Sequence, residues 1–365
     1  MSNRVFIVMV VSLLSCTSFS FGKKSPSPSP EVEAKIAKLE NKAREAEIFN
    51  LDSALSEITE DSVSMYFMWP AIDGLICLYE VTSKREYVAH AVKLAKRYQS
   101  FGKDIDGDGY LDWYSSWIKR HSHWHVEWRA ADGIARTVAL ILNNPELKSF
   151  EADARTLTAF LEKHVWEKWT GGYTNELNTV HDTSSMGRCG LIALSLYQAT
   201  GKSKYRDYVK RKGRELKNGL HVNSKDAYYW YDIVEEDHGF SDTSHAGDMV
   251  NFIVEAYRAG LVFDNTDIRR LVNTVKKNLW NGSLSSPQFQ DYVHGGPEKT
   301  KWSSGGYSWV GQNQGGWVKL AQFDAELQKI YYNWVESGKN SWGDSKADLQ
   351  IYGNLARALY LAEGR

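Results

Sequence analysis

The chain has 365 residues, 42% of them hydrophobic and 13% aromatic, which is ample for a substantial core in one large domain or two and excludes a disordered protein. Its 44 Lys and Arg against 45 Asp and Glu leave a net charge of -1, so there is no basic footprint for nucleic acid. The 14 Trp and 20 Tyr suit either a large aromatic core or flat platforms on which sugar rings stack.

At the N-terminus Arg4 precedes the apolar run FIVMVVSLL and then small polar residues around Cys16. A short apolar stretch followed by such a zone reads as an export signal over residues 1–22 and not as a membrane span. The LLSC ending at Cys16 resembles a lipobox. The expected location is therefore a bacterial periplasm or outer membrane, reached either by cleavage nearer Gly22 or by lipidation of Cys16, the one membrane attachment the sequence offers. Residues 23–30 alternate Ser and Pro and read as an extended tether. Residues 31–365 read as one domain, with Cys77 and Cys189 as buried thiols in apolar helical runs.

From Glu31 two kinds of helical pattern alternate. Tyr66 to Tyr79, Glu127 to Leu142, Thr183 to Thr200, Thr243 to Ala259, Gln314 to Tyr332 and Leu349 to Glu363 are apolar on most sides. Lys84 to Tyr98, Leu147 to Trp166, Lys202 to Asn218 and Asp267 to Trp280 are amphipathic and rich in Lys, Arg and Glu. Helices apolar all round are buried, and those with one apolar stripe lie outside them. With Glu31 to Phe49 as outer partner of the last inner helix, the alternation predicts an all-α fold, an (α/α)6 toroid. The long aperiodic segment from Asn281 to Gly311 leaves room for a seventh hairpin, and an open superhelical solenoid is the alternative fold.

Internal repetition supports this reading. HDTSSMGRCGLIALSLYQATG and SDTSHAGDMVNFIVEAYRAG lie about 60 residues apart, with Asp182, Thr183, Ser184 and Gly187 opposite Asp242, Thr243, Ser244 and Gly247. Ser185 stands in one copy where His245 stands in the other. Gly74, Gly133, Gly187 and Gly247 recur in the buried helices; a helical glycine costs about 1 kcal/mol relative to alanine, so close backbone packing must offset it.

In a toroid the inner helices run in one direction and their N-termini share a rim, which favours a carboxylate-bearing ligand. Taken in chain order, Asp104, Asp106, Asp108 and Asp112 space like the first positions of a calcium loop, though Ser115 occupies the place of the usual bidentate Glu; a structural calcium or a plain Asp/Gly turn fits. His121, His123 and His125 alternate before an inner helix and suit a polar loop lining the cleft better than a zinc site. Glu127, Trp128 and Arg129 open that helix, where Arg129 either clamps a substrate carboxylate or pairs with Glu127 or Asp132. Asn178, His181 and Asp182 precede the next inner helix. Asp242 and His245 begin the one after; Asp182 and Asp242 are good N-caps, and His245 at the positive helix end favours a neutral imidazole. A glycine-rich loop carries Lys301, Tyr307, Trp309 and Gln312, in which a tyrosine near a cation could serve as base and then acid while Trp stacks on sugar.

These residues resemble the (α/α)-toroid polysaccharide lyases of the alginate and glucuronan lyase-like group. The resemblance implies β-elimination on a uronate-containing polysaccharide: Tyr307 in GGYSW as base and acid, His245 in DTSHAGD as assisting imidazole, and Lys301 where the family often has Arg. It leaves Asn178 or His181 for the carboxylate neutraliser. Arg129, Trp128, Glu127, Asp242, Trp309 and Gln312 are expected around the substrate, which would be an anionic polysaccharide or oligosaccharide handled by a monomer without a required cofactor. Two alternatives stand beside it. One is a glycoside hydrolase, including unsaturated-uronyl hydrolases, with carboxylates drawn from Glu127, Asp182, Asp242 and Asp248; the other is a noncatalytic glycan-binding lipoprotein.

Overall fold

The computed structural model describes residues 28–234, 239–296, 306–339 and 344–364. The expected signal, with Cys16, and the rim residue Lys301 lie outside them. The described chain is α1 (Pro30–Glu45), α2 (Leu51–Glu57), α3 (Ser62–Thr82), α4 (Arg85–Gln99), a two-stranded ribbon of β1 (Tyr114–Ser115) and β2 (Arg120–His121), α5 (Trp124–Leu142), and α6 (Glu151–Phe160), which runs into a π-helical stretch, Leu161–Gly172. There follow α7 (Glu176–Thr179), α8 (Thr183–Thr200), α9 (Ser203–Asn218), a second ribbon of β3 (His221–Val222) and β4 (Tyr228–Tyr229), α10 (Thr243–Arg258), α11 (Asn265–Asn273) with a π-helical extension, α12 (Trp309–Gln312), a 3-10 helix Trp317–Phe323, α13 (Ala325–Glu336) and α14 (Ser345–Glu363).

The inner ring is α3, α5, α8, α10, the 3-10 helix and α14, each packed on its neighbours, and α14 returns to pack on α3. That closure rules out the open solenoid. Around it lie α4, α6, α9, α11, α13 and, against α14, α1. Six hairpins make the expected (α/α)6 toroid, and no seventh forms among the described residues. The helix pattern assigned to Gln314–Tyr332 divides in two: Asp324 accepts hydrogen bonds from the N–H groups of Glu326 and Leu327, so it caps α13 and turns the chain from inner to outer layer.

Physical chemistry separates the layers. In α4 the buried residues Tyr87, Val88, Ala91, Val92, Leu94, Ala95 and Tyr98 form one stripe with the basic residues outside, whereas α3 is buried almost all round. The recurring glycines are close-approach sites. A Cβ on Gly187 would lie 2.8 Å from the Met249 Cα across the α8–α10 seam, and one on Gly74 would overlap the Leu349 carbonyl where α3 meets α14. Gly133 faces Ile72, and Gly247 is approached by the backbone of Gly316.

Candidate active site

The sequence DTS twice places an aspartate as N-cap: Asp182 accepts from the Ser185 N–H at 2.8 Å and Asp242 from the His245 N–H at 2.9 Å. What differs is the third residue after the cap. His245 turns its Nδ1 back on the other Asp242 oxygen at 2.5 Å, while Ser185 presents its hydroxyl to Nδ1 of His125 at 3.3 Å. The repeat therefore delivers two imidazoles to one rim by two routes.

That rim holds a cavity of about 770 Å³ lined from the N-terminal halves of α3, α5, α10 and α14 and from α12. Tyr66 and Trp69 come from α3, Arg129 from α5, Asp242, His245 and Asp248 from α10, and Trp309 and Gln312 from α12. Large aromatic side chains mark its mouth. Phe67 is 46% exposed, Trp117 50% and Trp309 51%, and Trp117 is held edge-on against Tyr66 and Phe67 with centroids 4.7 and 5.4 Å apart.

Beneath the mouth lies a charged floor. Arg129 donates to the Tyr66 hydroxyl and stacks over that ring at 4.1 Å, with Trp69 beyond it at 5.5 Å. Arg188 lies over Trp69 as well, at 4.7 Å, and pairs with Asp248, which also accepts from Ser184 at 2.8 Å. Two guanidinium groups thus share one aromatic ring, and one of them, Arg188, pairs with the Asp248 carboxylate. Asp132, one turn below Arg129, is fully buried with neither oxygen hydrogen-bonded, and burial pushes its pKa up to about 7 against the opposing pull of Arg188 and Lys319. Burial thus holds back the ionisation of Asp132 and with it the negative charge that it would add to the floor.

The two imidazoles are shifted in opposite directions. Burial, with Arg188 and Arg129 nearby, lowers the His125 pKa to about 3, and its Nε2 stands 3.5 Å from the Tyr66 hydroxyl. Burial would also lower His245, but the Asp242 carboxylate outweighs it and the pKa is raised. The helix end favours a neutral His245, and the Asp242 carboxylate in contact with its ring acts against that preference.

Of the residues expected at the site, Arg129, Asp242, His245, Trp309 and Gln312 line the cavity. Tyr307 is 42% exposed and is not among its lining residues. His181 lines a separate cavity, and the Asn178 side chain is engaged by Arg211 at 2.7 Å and by Asn175. Trp128 is buried in the packing between helices. Glu127 points outward to Lys168 at 3.1 Å and to the Trp169 indole at 2.9 Å, where burial raises its pKa to about 7. Of the loop carboxylates, Asp104, Asp106 and Asp108 bring oxygens within 4.8 Å of one another at the surface and could hold a cation. Asp112 does not join them: it is buried and accepts from Lys168 at 3.0 Å and from Ser122.

Tyr66, Trp69, Trp117 and Arg188 were not expected at the site, and His125 and Asp132 had no assigned role there. For three of them, His125, Asp132 and Arg188, the signal is a polar residue on an apolar helix. His125, Arg129, Asp132 and Arg136 recur at helical spacing along one face of α5, and Arg188 is the lone cation in the buried run of α8.

No family model matches the chain, and no curated protein matches it. Among solved structures it is similar to a glycosyl hydrolase family 88 protein from Bacteroides vulgatus, at 11% identity over 89% of this chain and 99% of that one, with a TM-score of 0.56. It is also similar to an inactive variant of an alpha-1,6-mannanase of Salegentibacter sp. HEL1_6 in complex with alpha-1,6-mannotetrose, at 12% identity over 90% and 99% of the two chains and a TM-score of 0.49. At 11% identity the likeness to the family 88 protein shows the α/α toroid fold alone.

Proposed function

We propose that the chain is a glycoside hydrolase acting on a sugar that carries a carboxylate. The observation that carries this reading is the floor of the central cavity, where the Asp248 and Asp242 carboxylates stand among Arg129, Arg188 and His245, whose pKa Asp242 raises. Hydrolysis of a glycosidic bond needs a carboxylic acid to protonate the leaving oxygen and a carboxylate to assist water. Asp248 and Asp242 line the cavity, whereas Glu127 faces outward and Asp182 caps α8 away from it. Arg129 and His245 receive the sugar's carboxylate, and Trp117, Phe67 and Trp309 supply apolar faces for the ring. The toroid shared with the Bacteroides vulgatus glycosyl hydrolase supports the same reading at the level of scaffold.

A second reading, β-elimination, is favoured by one contact set. Tyr66 lies in the cavity with its hydroxyl between Arg129 and the neutral His125, so a phenol, a cation and a proton acceptor meet at the rim. Here Tyr66 takes the place expected of Tyr307. Incubation with uronate oligosaccharides separates the two. New reducing ends with no new ultraviolet absorbance support hydrolysis, as does loss of absorbance from an unsaturated uronide. A rise in absorbance from a carbon–carbon double bond conjugated with the carboxylate shows elimination and overturns hydrolysis. Under the hydrolase reading Asp248→Asn abolishes turnover by at least about a hundredfold while Tyr66→Phe retains most of it.

A further inference from the structure

A second cavity, of about 530 Å³, opens between the start of α8, the end of α9 and the segment following β4. It is a different space from the central one: α10 forms a wall between them, with Asp248 lining the central cavity and Met249 the lateral one. Its size falls in the range of small-molecule sites.

The internal repeat shows what is unusual about its wall. Thr183 and Thr243 are equivalent, and their backbones are held alike: the Thr183 N–H donates to the Asp232 carbonyl and the Thr243 N–H to the Asp291 carbonyl, both at 2.8 Å. Their side chains differ. The Thr243 hydroxyl donates to the Gln290 carbonyl at 2.6 Å, and the Trp317 indole beside it donates to the Thr243 carbonyl at 2.9 Å. The Thr183 hydroxyl and the Trp230 indole N–H, both in residues lining the lateral cavity, are buried without any partner. An unsatisfied buried polar group costs about 1–3 kcal/mol, so two in one wall mark a place that a ligand's polar atoms would satisfy.

The rest of the lining sets the ligand's chemistry. Among the described residues no Lys or Arg lines the cavity, and Glu215, paired with the buried Lys212 at 2.7 Å, does; this wall offers no cation to an anion and differs from the arginine-floored one. His181 and Asn218 offer further hydrogen-bonding groups beside the apolar Met249 and Trp230. Alternating hydroxyls and a C–H face are what such a wall complements. We propose that the lateral cavity is a second carbohydrate site, one that takes an uncharged pyranoside. His181, expected from the sequence at the catalytic rim, belongs to it.

Isothermal calorimetry on the full chain tests this with methyl glucopyranoside, methyl galactopyranoside and methyl mannopyranoside as separate titrants. At least one binds with a millimolar Kd; Thr183→Val, which keeps the side-chain shape, weakens it about fivefold. Asn218→Ala, an exposed change at the helix end, also weakens binding and decides the matter if Thr183→Val fails to fold. Trp309→Ala in the central cavity leaves the affinity unchanged. Absence of binding by all three, or loss in Trp309→Ala with retention in the lateral variants, overturns the proposal.

Discussion

At the scale of single residues, the site is governed by which charges have partners. The His245 side chain is half exposed and its pKa is raised by the Asp242 carboxylate beside it, so folding shifts its titration towards the imidazolium form. Because the folded-state value is raised, the pairing stabilises the fold fully below the ordinary histidine pKa of about 6.5 and is lost as pH rises through the folded value. Affinity for an acidic sugar should follow the same course, falling on the alkaline side. In His245→Gln that limb of a Kd-versus-pH series should flatten, and a limb left unchanged would remove His245 from carboxylate binding. Asp132 behaves in the opposite way. Its folded pKa is raised to about 7, so the ionised form destabilises the fold, and stability falls as pH climbs from the unfolded value of about 3.9 towards 7. Asp132→Asn, which replaces a carboxyl by a neutral amide of the same shape, should leave the protein at least as stable at pH 7 and raise its Tm there. It should also remove any activity limb near that pH, because the neighbouring Arg188–Asp248 pair then feels a constant charge. A lowered Tm at pH 7 would show that the ionised carboxylate has a partner that stabilises it.

At the scale of elements, the outer layer sets the rim through one buried lysine. The π-helical continuation of α6 brings Lys168 inward, where its ammonium donates to the Leu111 carbonyl at 2.7 Å, Asp112 at 3.0 Å, Ser122 at 2.8 Å and Glu127 at 3.1 Å. Those four acceptors bracket the ribbon carrying Trp117 and the first turn of α5, ahead of Arg129. Lys168→Met would leave Asp112 and Glu127 buried without their cation, and breaking a buried pair in this way costs about 3–5 kcal/mol. The loss should appear as a lower urea midpoint and, where the fold survives, as a raised KM with kcat less affected, because ribbon and Arg129 both loosen. A midpoint within error of wild type would mean that water replaces the ammonium. This network also explains why the local sequence misled at two positions. Glu127 lies next to functional residues in the chain, but helical geometry points it to the opposite side of α5 from Arg129. Asp112 has calcium-loop spacing, yet a lysine 56 residues later claims its carboxylate. Neither partner is visible to a reading of short spacings, whereas the N-caps Asp182 and Asp242 were legible because the N–H groups that donate to them lie three residues away.

At the scale of the whole molecule, the legible property was the alternation of buried and striped helices, and the property that had to be seen was closure. Inner and outer identities follow from side-chain periodicity alone, and the glycines announce seams. Which seam meets which depends on chain-long contacts: Gly74 in α3 meets Leu349 in α14, and Gly353 in α14 meets the Gly74 carbonyl in return. A ring differs physically from an array of the same hairpins. In an open repeat array the terminal units have one neighbour and fray first, so stability divides along the chain. Here every inner helix has two inner neighbours, including the first and the last. Unfolding should therefore be a single transition, with helix content by circular dichroism and the fluorescence of the buried Trp113, Trp169, Trp230, Trp317 and Trp334 tracing one curve in urea. Gly74→Ala tests the closure itself. The added methyl collides with backbone, which cannot rotate aside, so α3 and α14 must separate at a cost of about 1–3 kcal/mol or more. If the ring is the cooperative unit, both probes shift together to lower urea. If the two curves part, with helix lost before the tryptophan environments change, the ends unzip independently and the toroid is held by its hairpins more than by its closure.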